Sequence, residues 1–156
     1  MDKKTICIDF DGVIHDYSQG WQGEDVFGQM IPNADTATQV LKKKGWQIII
    51  FTTRKKTKKL EDWLQEHKIA YDHINENPDQ PEHSSDKIVA DVYLDDRGIC
   101  FRGRWDEWLI REILDFEPWQ EQEKKRMESL ANFKDNEDDI WARGKEKRIK
   151  LCDSCY

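Results

Sequence analysis

The stretch that decides the fold lies close to the start of the chain and reads Thr5-Ile6-Cys7-Ile8-Asp9-Phe10-Asp11-Gly12-Val13. Its first four residues form the short apolar run that is typical of a parallel strand covered on both faces. Two carboxylates, Asp9 and Asp11, follow this run directly. Ionised groups held close together in a low dielectric repel each other strongly, so this pattern predicts a cation that neutralises them.

A second acidic pair, Asp95-Asp96, ends another apolar run, Val92-Tyr93-Leu94. Mg²⁺ prefers carboxylate oxygens and keeps several of its waters, so it is the cation expected beside such a group. We therefore predict a Mg²⁺ site formed by four side chains: Asp9, Asp11, Asp95 and Asp96. The sequence leaves open which of Asp95 and Asp96 binds the metal directly and which acts through water or an outer contact.

The rest of the chain alternates predicted strands with predicted helices. Strands are predicted at residues 47–52, 71–74, 90–94 and 99–101, and helices at about 33–45, 56–67 and 105–116. This alternation predicts an α/β fold with a parallel sheet of about five strands and helices on both faces. Sites in such sheets lie at the carboxyl ends of the strands. Because Asp9, Thr52 and Asp95 all fall at strand ends, we predict one shared site there.

The composition predicts a first domain over residues 1–116 and a charged extension, helical or partly disordered, over residues 117–156. Charged residues make up 37% of the 156, and the net charge of -7 argues against a protein whose main task is to bind nucleic-acid backbone. No apolar run reaches the roughly 18–20 residues of a membrane helix, and the first strand leaves no room for a secretion signal. A cytoplasmic protein with no membrane partner is therefore expected.

Four cysteines in a chain of this kind are predicted to be reduced thiols. Cys152 and Cys155 form a single Cys-x-x-Cys, which is only half of a four-ligand zinc site. We predict that they are exposed thiols.

Four motifs, taken in order, resemble those of the haloacid dehalogenase superfamily of phosphatases. The stretch Asp9-Phe10-Asp11-Gly12-Val13 resembles the first motif, and Thr52 resembles the second. Lys87, eight residues before Asp95, matches the lysine of the third motif, and Asp95-Asp96 resembles the fourth. The resemblance covers residues 1–116 and implies a Rossmann-like catalytic domain that hydrolyses phosphomonoesters.

The resemblance also implies a role for each of these residues. Asp9 is expected to be the nucleophile that forms an aspartyl-phosphate, and Asp11 the general acid and base. The Thr52 hydroxyl is expected to hold the transferring phosphoryl group, and Lys87 to supply positive charge to its oxygens. Asp11 further distinguishes a phosphatase from the dehalogenating members of the superfamily, which lack this second aspartate.

The expected substrate is a small phosphomonoester such as a nucleotide or a sugar phosphate. Residues 12–32 can form only a flap, so the enzyme resembles the capless members, whose site is open. An open site suits a large substrate, or a small one enclosed by a partner subunit, which makes a homo-oligomer an open option.

A nucleic-acid end with a 3′-phosphate is the alternative substrate. Thr52-Thr53-Arg54, residues 63–72 and Asp95-Asp96-Arg97 are similar to the 3′-phosphatase domain of polynucleotide kinase-phosphatases. Thr53 and Arg54 would then bind substrate, with the lysines of residues 55–59 near the backbone and Trp21 stacked on a base.

Two further hypotheses stay open. The chain could be a non-catalytic module that binds a phosphorylated ligand, although a binding module has no need of Asp11. Alternatively, the charged extension could be the functional part and dock the first domain to another protein. His15, which follows the first motif, is predicted to be incidental to catalysis.

Overall fold

The structure is a computed structural model that describes residues 3–131. The chain divides into two compact units, Met1–Phe116 and Glu117–Tyr156. The described part of the first unit contains four strands and three helices: β1 (Thr5–Ile8), α1 (Ala34–Lys43), β2 (Gln47–Ile50), α2 (Lys58–Glu66), β3 (His73–Ile74), β4 (Val92–Leu94) and α3 (Glu107–Leu114). In the second unit residues 119–131 are helical. Cys152 and Cys155, and the prediction made for them, lie outside the described residues.

All four strands are parallel and form one sheet in the order β3-β2-β1-β4. The helices α1 and α2 make the crossovers that parallel neighbours require. The chain adds β2 and β3 on one side of β1 and then returns to add β4 on the other side. The order therefore reverses between β1 and β4, and the carboxyl ends of these two strands flank the switch point where α/β sheets bind ligands. The predicted α/β fold with a parallel sheet is confirmed.

One face of the sheet carries the main core. Side chains alternate along a strand, so Ile6, Ile8, Ile48 and Ile50 all project to this face, where Leu60, Trp63 and Leu64 of α2 pack on them. These helix residues share one stripe because they are three and four positions apart. The Thr57 hydroxyl accepts a hydrogen bond from the Leu60 N–H at 3.2 Å and so begins α2.

The opposite face of the sheet is covered only in part. Its buried cluster consists of Cys7, Ile49 and Ile88, with Ala90 packed against it, and it includes no helical residue. Within residues 3–131, the prediction of helices on both faces therefore holds for the face under α1 and α2, and no helix residue joins the buried cluster of the other face. Leu109 is the one buried residue of α3, and neither core cluster contains a residue of this helix.

The predicted fifth strand at residues 99–101 is wrong. The sheet ends at β4, and these residues form no strand. An apolar triplet forms a strand only if it finds a neighbour to pair with and a surface to cover, and Phe101 instead remains 54% exposed. None of the helices within residues 3–131 combines the length and apolarity that crossing a bilayer requires.

Candidate active site

The carboxyl ends of the strands place five of the predicted site residues around one open pocket. Asp9 follows β1, and its N–H donates to the Leu94 carbonyl of β4 at 2.9 Å. The pocket has a volume of about 610 Å³. Its lining combines carboxylates, hydroxyls, two aromatic rings and one guanidinium: Asp9, Asp11, Tyr17, Phe51, Thr52, Thr53, Asp95 and Arg97. Five of the predicted site residues thus share this pocket.

Three of the four carboxylates predicted to bind Mg²⁺ form a cluster. One oxygen from each of Asp9, Asp95 and Asp96 lies within 4.8 Å of the others. Both oxygens of Asp96 are buried and have no hydrogen-bond partner among the described residues. A buried carboxylate without donors is costly, and a hard cation supplies the missing partner. The cluster therefore has the donor chemistry of a divalent-cation site.

Gly12 makes room for the Asp96 carboxylate. A Cβ atom at position 12 would lie 2.4 Å from Asp96 Oδ2, which is far inside van der Waals contact, and the φ of +88° is itself one that favours glycine. Glycine after Asp11 is therefore required by the position of the acidic cluster as well as by the turn.

The electrostatics of Asp9 also indicate a missing positive charge. Burial raises the pKa of the Asp9 carboxyl, the charges of Asp95, Asp96 and Asp11 raise it as well, and the hydrogen bond from the Phe10 N–H acts in the opposite direction. The pKa that results is about 7. Burial also raises the pKa of Asp96, with a contribution from the charge of Asp95, although the charge of Arg97 acts in the opposite direction. A bound cation would reverse these shifts and keep the carboxylates ionised at neutral pH.

Asp11 stands apart from this cluster, in contrast to the prediction that it ligates the metal. Arg54 Nε donates to Asp11 Oδ2 at 2.8 Å and Nη2 donates to Oδ1 at 3.0 Å, while the Nδ1 of His15 lies 2.9 Å from Oδ1. Burial raises the pKa of Asp11, but the hydrogen bonds from His15 and Arg54 outweigh burial and hold the pKa below its usual range. Asp11 is therefore held as a carboxylate at the wall of the pocket.

Arg54 is a buried cation engaged within the protein, whereas the sequence predicted that it binds substrate. Its side chain is 1% exposed. Besides Asp11 it binds the flap, since Nη1 donates to the carbonyls of Gly23 and Glu24 at 3.0 and 2.9 Å. The guanidinium also lies 4.6 Å from the ring centroid of Trp21. Four of the five N–H donors of Arg54 are thus used within the protein.

His15, which was predicted to be incidental to catalysis, lies beside the site and contacts Asp11. Its ring is buried and stacks on Phe10 with a centroid distance of 5.1 Å. The Gly28 N–H donates to Nε2 at 2.5 Å. Because Nε2 accepts, the ring proton lies on Nδ1 and is donated to Asp11. The signal in the sequence was its position four residues after Asp11, within the predicted flap of residues 12–32.

The loop after β2 is held by Asn75, which the sequence analysis did not single out. Asn75 has a φ of 55°, in the left-handed region where asparagine is tolerated. Its Oδ1 accepts from the Thr52 N–H at 2.8 Å, and its Nδ2 donates to the Arg54 carbonyl at 3.2 Å. The Thr52 hydroxyl in turn accepts from the Arg54 N–H at 3.1 Å. Asn75 therefore positions both Thr52 and Arg54.

The structure does not bring Lys87 to the pocket. Its side chain is exposed, and its Nζ lies 5.5 Å from the ring centroid of Tyr93. Within the described residues, Lys87 forms no ion pair with Asp9 and does not line the pocket. The cation that does line it is Arg97, on the turn after β4.

Comparisons with known proteins support the fold alone. The chain matches no protein-family model, and no curated protein matches it at a significant level. It is similar to a solved structure described as a conserved protein from Bacteroides thetaiotaomicron, with 25% sequence identity and a TM-score of 0.51. The match covers 72% of this chain and 90% of that chain. That description states no activity.

Proposed function

We propose that this protein is a Mg²⁺-dependent phosphomonoesterase of the haloacid dehalogenase superfamily that acts through an aspartyl-phosphate. The observation that carries the proposal is the environment of Asp9. It lies at the switch point of the sheet and lines a pocket shared with Asp11 and Thr52. It belongs to an acidic cluster in which the Asp96 oxygens have no hydrogen-bond partner within residues 3–131.

The acidic cluster would hold the metal through Asp9, Asp95 and Asp96. When bound, Mg²⁺ would offset the repulsion between an anionic nucleophile and an anionic substrate. The protein itself orients Asp9, because the Phe10 N–H donates to Oδ1 at 2.8 Å and limits rotation of the carboxylate. Thr52 and Thr53 line the same pocket and offer hydroxyl groups to the phosphoryl oxygens.

The reaction proceeds in two displacements at phosphorus. An oxygen of Asp9 attacks the phosphorus, the bond to the leaving oxygen breaks, and Asp9 becomes an acyl phosphate. The leaving oxygen takes a proton and departs as an alcohol. Water then attacks the phosphorus, gives up a proton, and releases inorganic phosphate with Asp9 restored.

Asp11 is the group assigned to both proton transfers. Its ion pair with Arg54 suits the second step, in which an ionised carboxylate accepts a proton from water. The first step requires a protonated Asp11, and the lowered pKa opposes that form while Arg54 and His15 are bound. We therefore infer that Asp11 leaves Arg54 before it protonates a poor leaving group.

A small monoester is favoured over a nucleic-acid end. Arg54 is buried, so it is not free to meet a nucleic acid as predicted, and the exposed Trp21 ring already lies 4.6 Å from its guanidinium. Four lysines that follow Arg54 are paired with acidic neighbours: Lys55 with Glu24, Lys56 with Glu76, Lys58 with Asp62 and Lys59 with Asp25. Such local pairing leaves little net positive charge to attract a phosphate backbone.

Hydrolysis of an aryl phosphate, with and without Mg²⁺, tests the proposal. Activity should require the metal and should be lost in Asp9→Asn. Because an aryl alcohol is a good leaving group that needs little acid help, Asp11→Asn should release one burst of aryl alcohol and then stall as the acyl phosphate. If wild-type protein binds phosphate in a Mg²⁺-dependent manner but turns over no monoester in a substrate screen, the non-catalytic binding module replaces the enzyme.

A further inference from the structure

The pocket at the switch point contains one unassigned cation. Among the described residues that line it, Arg97 is the sole lysine or arginine, and three aspartates are the other charged groups. A phosphomonoester brings about two negative charges into this acidic lining. A metal held by the carboxylates would offset part of this negative charge, and a second positive group in the pocket would offset more of it.

The other nearby cations are already engaged. Arg54 is buried with Asp11 and the flap carbonyls. Lys87 lies against the Tyr93 ring and outside the pocket lining. Arg97 has an exposed side chain that forms no hydrogen bond or ion pair within residues 3–131, although its charge lies near enough to Asp96 to interact with it electrostatically. Its donors are therefore available to a ligand.

The turn after β4 couples Arg97 to the acidic cluster. The Arg97 N–H donates to Asp95 Oδ1 at 2.7 Å, which closes an Asx-turn directly after the strand. This hydrogen bond fixes the start of the Arg97 side chain beside Asp95. The planar guanidinium offers paired N–H donors that match two phosphate oxygens, whereas an ammonium group acts as a point charge.

We propose that Arg97 is the residue that binds the phosphoryl oxygens of the substrate, in the place that the family resemblance assigns to Lys87. This inference rests on the proposed function for the identity of the ligand. The two proposals can fail separately, because the mechanism through Asp9 is the same whether Arg97 or Lys87 binds the phosphate.

The test compares Arg97→Gln, Arg97→Lys and Lys87→Gln with the control Arg102→Gln. Arg102 is an exposed arginine outside the pocket, paired with Glu112 at 3.0 Å, and its variant carries the same charge change. Binding of inorganic phosphate in the presence of Mg²⁺ is measured by calorimetry, together with KM and kcat for an aryl phosphate.

Arg97→Gln should raise both the Kd for phosphate and the KM by roughly tenfold or more. Arg97→Lys should recover part of the loss, and Lys87→Gln should change the Kd less than Arg97→Gln does. The Arg102→Gln variant should match the wild type. Because Arg97 is exposed, the phosphate Kd should also rise with salt in the wild type and less so in Arg97→Gln.

Two outcomes overturn the inference while the proposed function stands. The first is that the wild type is an active enzyme and Arg97→Gln has the same phosphate Kd and the same KM as the wild type. The second is a larger loss in Lys87→Gln than in Arg97→Gln. Arg97-dependent phosphate binding by a protein that hydrolyses no monoester would instead support Arg97 as the anion ligand and refute the enzyme.

Discussion

Arg54→Met tests whether the buried ion pair with Asp11 stabilises the flap and the site. The substitution keeps an unbranched side chain of similar length and removes the positive charge. The side chains of Arg54 and Asp11 are 1% and 14% exposed, so the pair is largely removed from water. Loss of one member of such a buried pair costs about 3–5 kcal/mol in the free energy of unfolding.

A double-mutant cycle with Asp11→Asn separates the ion pair from the other contacts of Arg54. The single variants each leave one charge buried without its counter-charge, whereas the double variant leaves neither. The sum of the two single-variant losses in unfolding free energy should therefore exceed the loss in the double variant, with a coupling energy of about 1–3 kcal/mol. Urea denaturation followed by circular dichroism measures each of the four unfolding free energies.

Lys55→Met is the matched control, because Lys55 is adjacent in sequence and its side chain is 84% exposed at 3.9 Å from Glu24. It should leave the unfolding free energy close to that of the wild type, since exposed pairs contribute little. The reasoning is refuted if Arg54→Met behaves like Lys55→Met, or if the Arg54 and Asp11 losses add to within about 0.5 kcal/mol.

Two more predictions concern Gly12 and Asp72. Gly12→Ala should destabilise the fold and weaken Mg²⁺ binding, because the new Cβ would displace Asp96. Gly45→Ala is the control: its φ of +83° is similar but the space around it is open, so it should cost only backbone strain. Urea denaturation and Mg²⁺ titration of both variants measure the difference, and equal losses in the two variants would contradict the clash with Asp96. Burial raises the pKa of Asp72, but the hydrogen bond from Lys42 contributes to a net lowering. The stabilisation that ionised Asp72 contributes is present above the ordinary carboxyl pKa of about 3.9 and is lost as the pH falls through the lowered value. The unfolding midpoint of Asp72→Asn should therefore fall less steeply in acid than that of the wild type. Identical slopes for the two proteins would argue against the ion pair of Asp72 with Lys42.

Local sequence patterns were sufficient to locate the strands that carry the site. The apolar run before Asp9 and the β-branched run before Thr52 each form a strand of the parallel sheet. Because parallel strands align their carboxyl ends, the order of strands and helices already implied that Asp9, Thr52 and Asp95 would share one edge. These inferences depend on short-range periodicity, which is visible in neighbouring residues of the sequence.

The partners of charged side chains could not be read in the same way. Arg54 stands at the start of a basic run and has the sequence context of an exposed residue, yet it is buried against Asp11, which lies 43 positions earlier. His15 and Asn75 likewise acquire their roles only through contacts that the folded chain creates. No local pattern distinguishes the arginine that is buried from the lysines that remain on the surface.

The sequence by itself therefore determined the α/β fold, the edge of the sheet at which the carboxylates gather, and the residues available for chemistry there. Tertiary structure decided which carboxylates face one another, that Asp11 pairs with Arg54, and that Arg97 lines the pocket while Lys87 does not. The reason is physical. Strand and helix formation follows the spacing of apolar residues along the chain, whereas the state of a charge depends on burial and on partners that only long-range packing supplies.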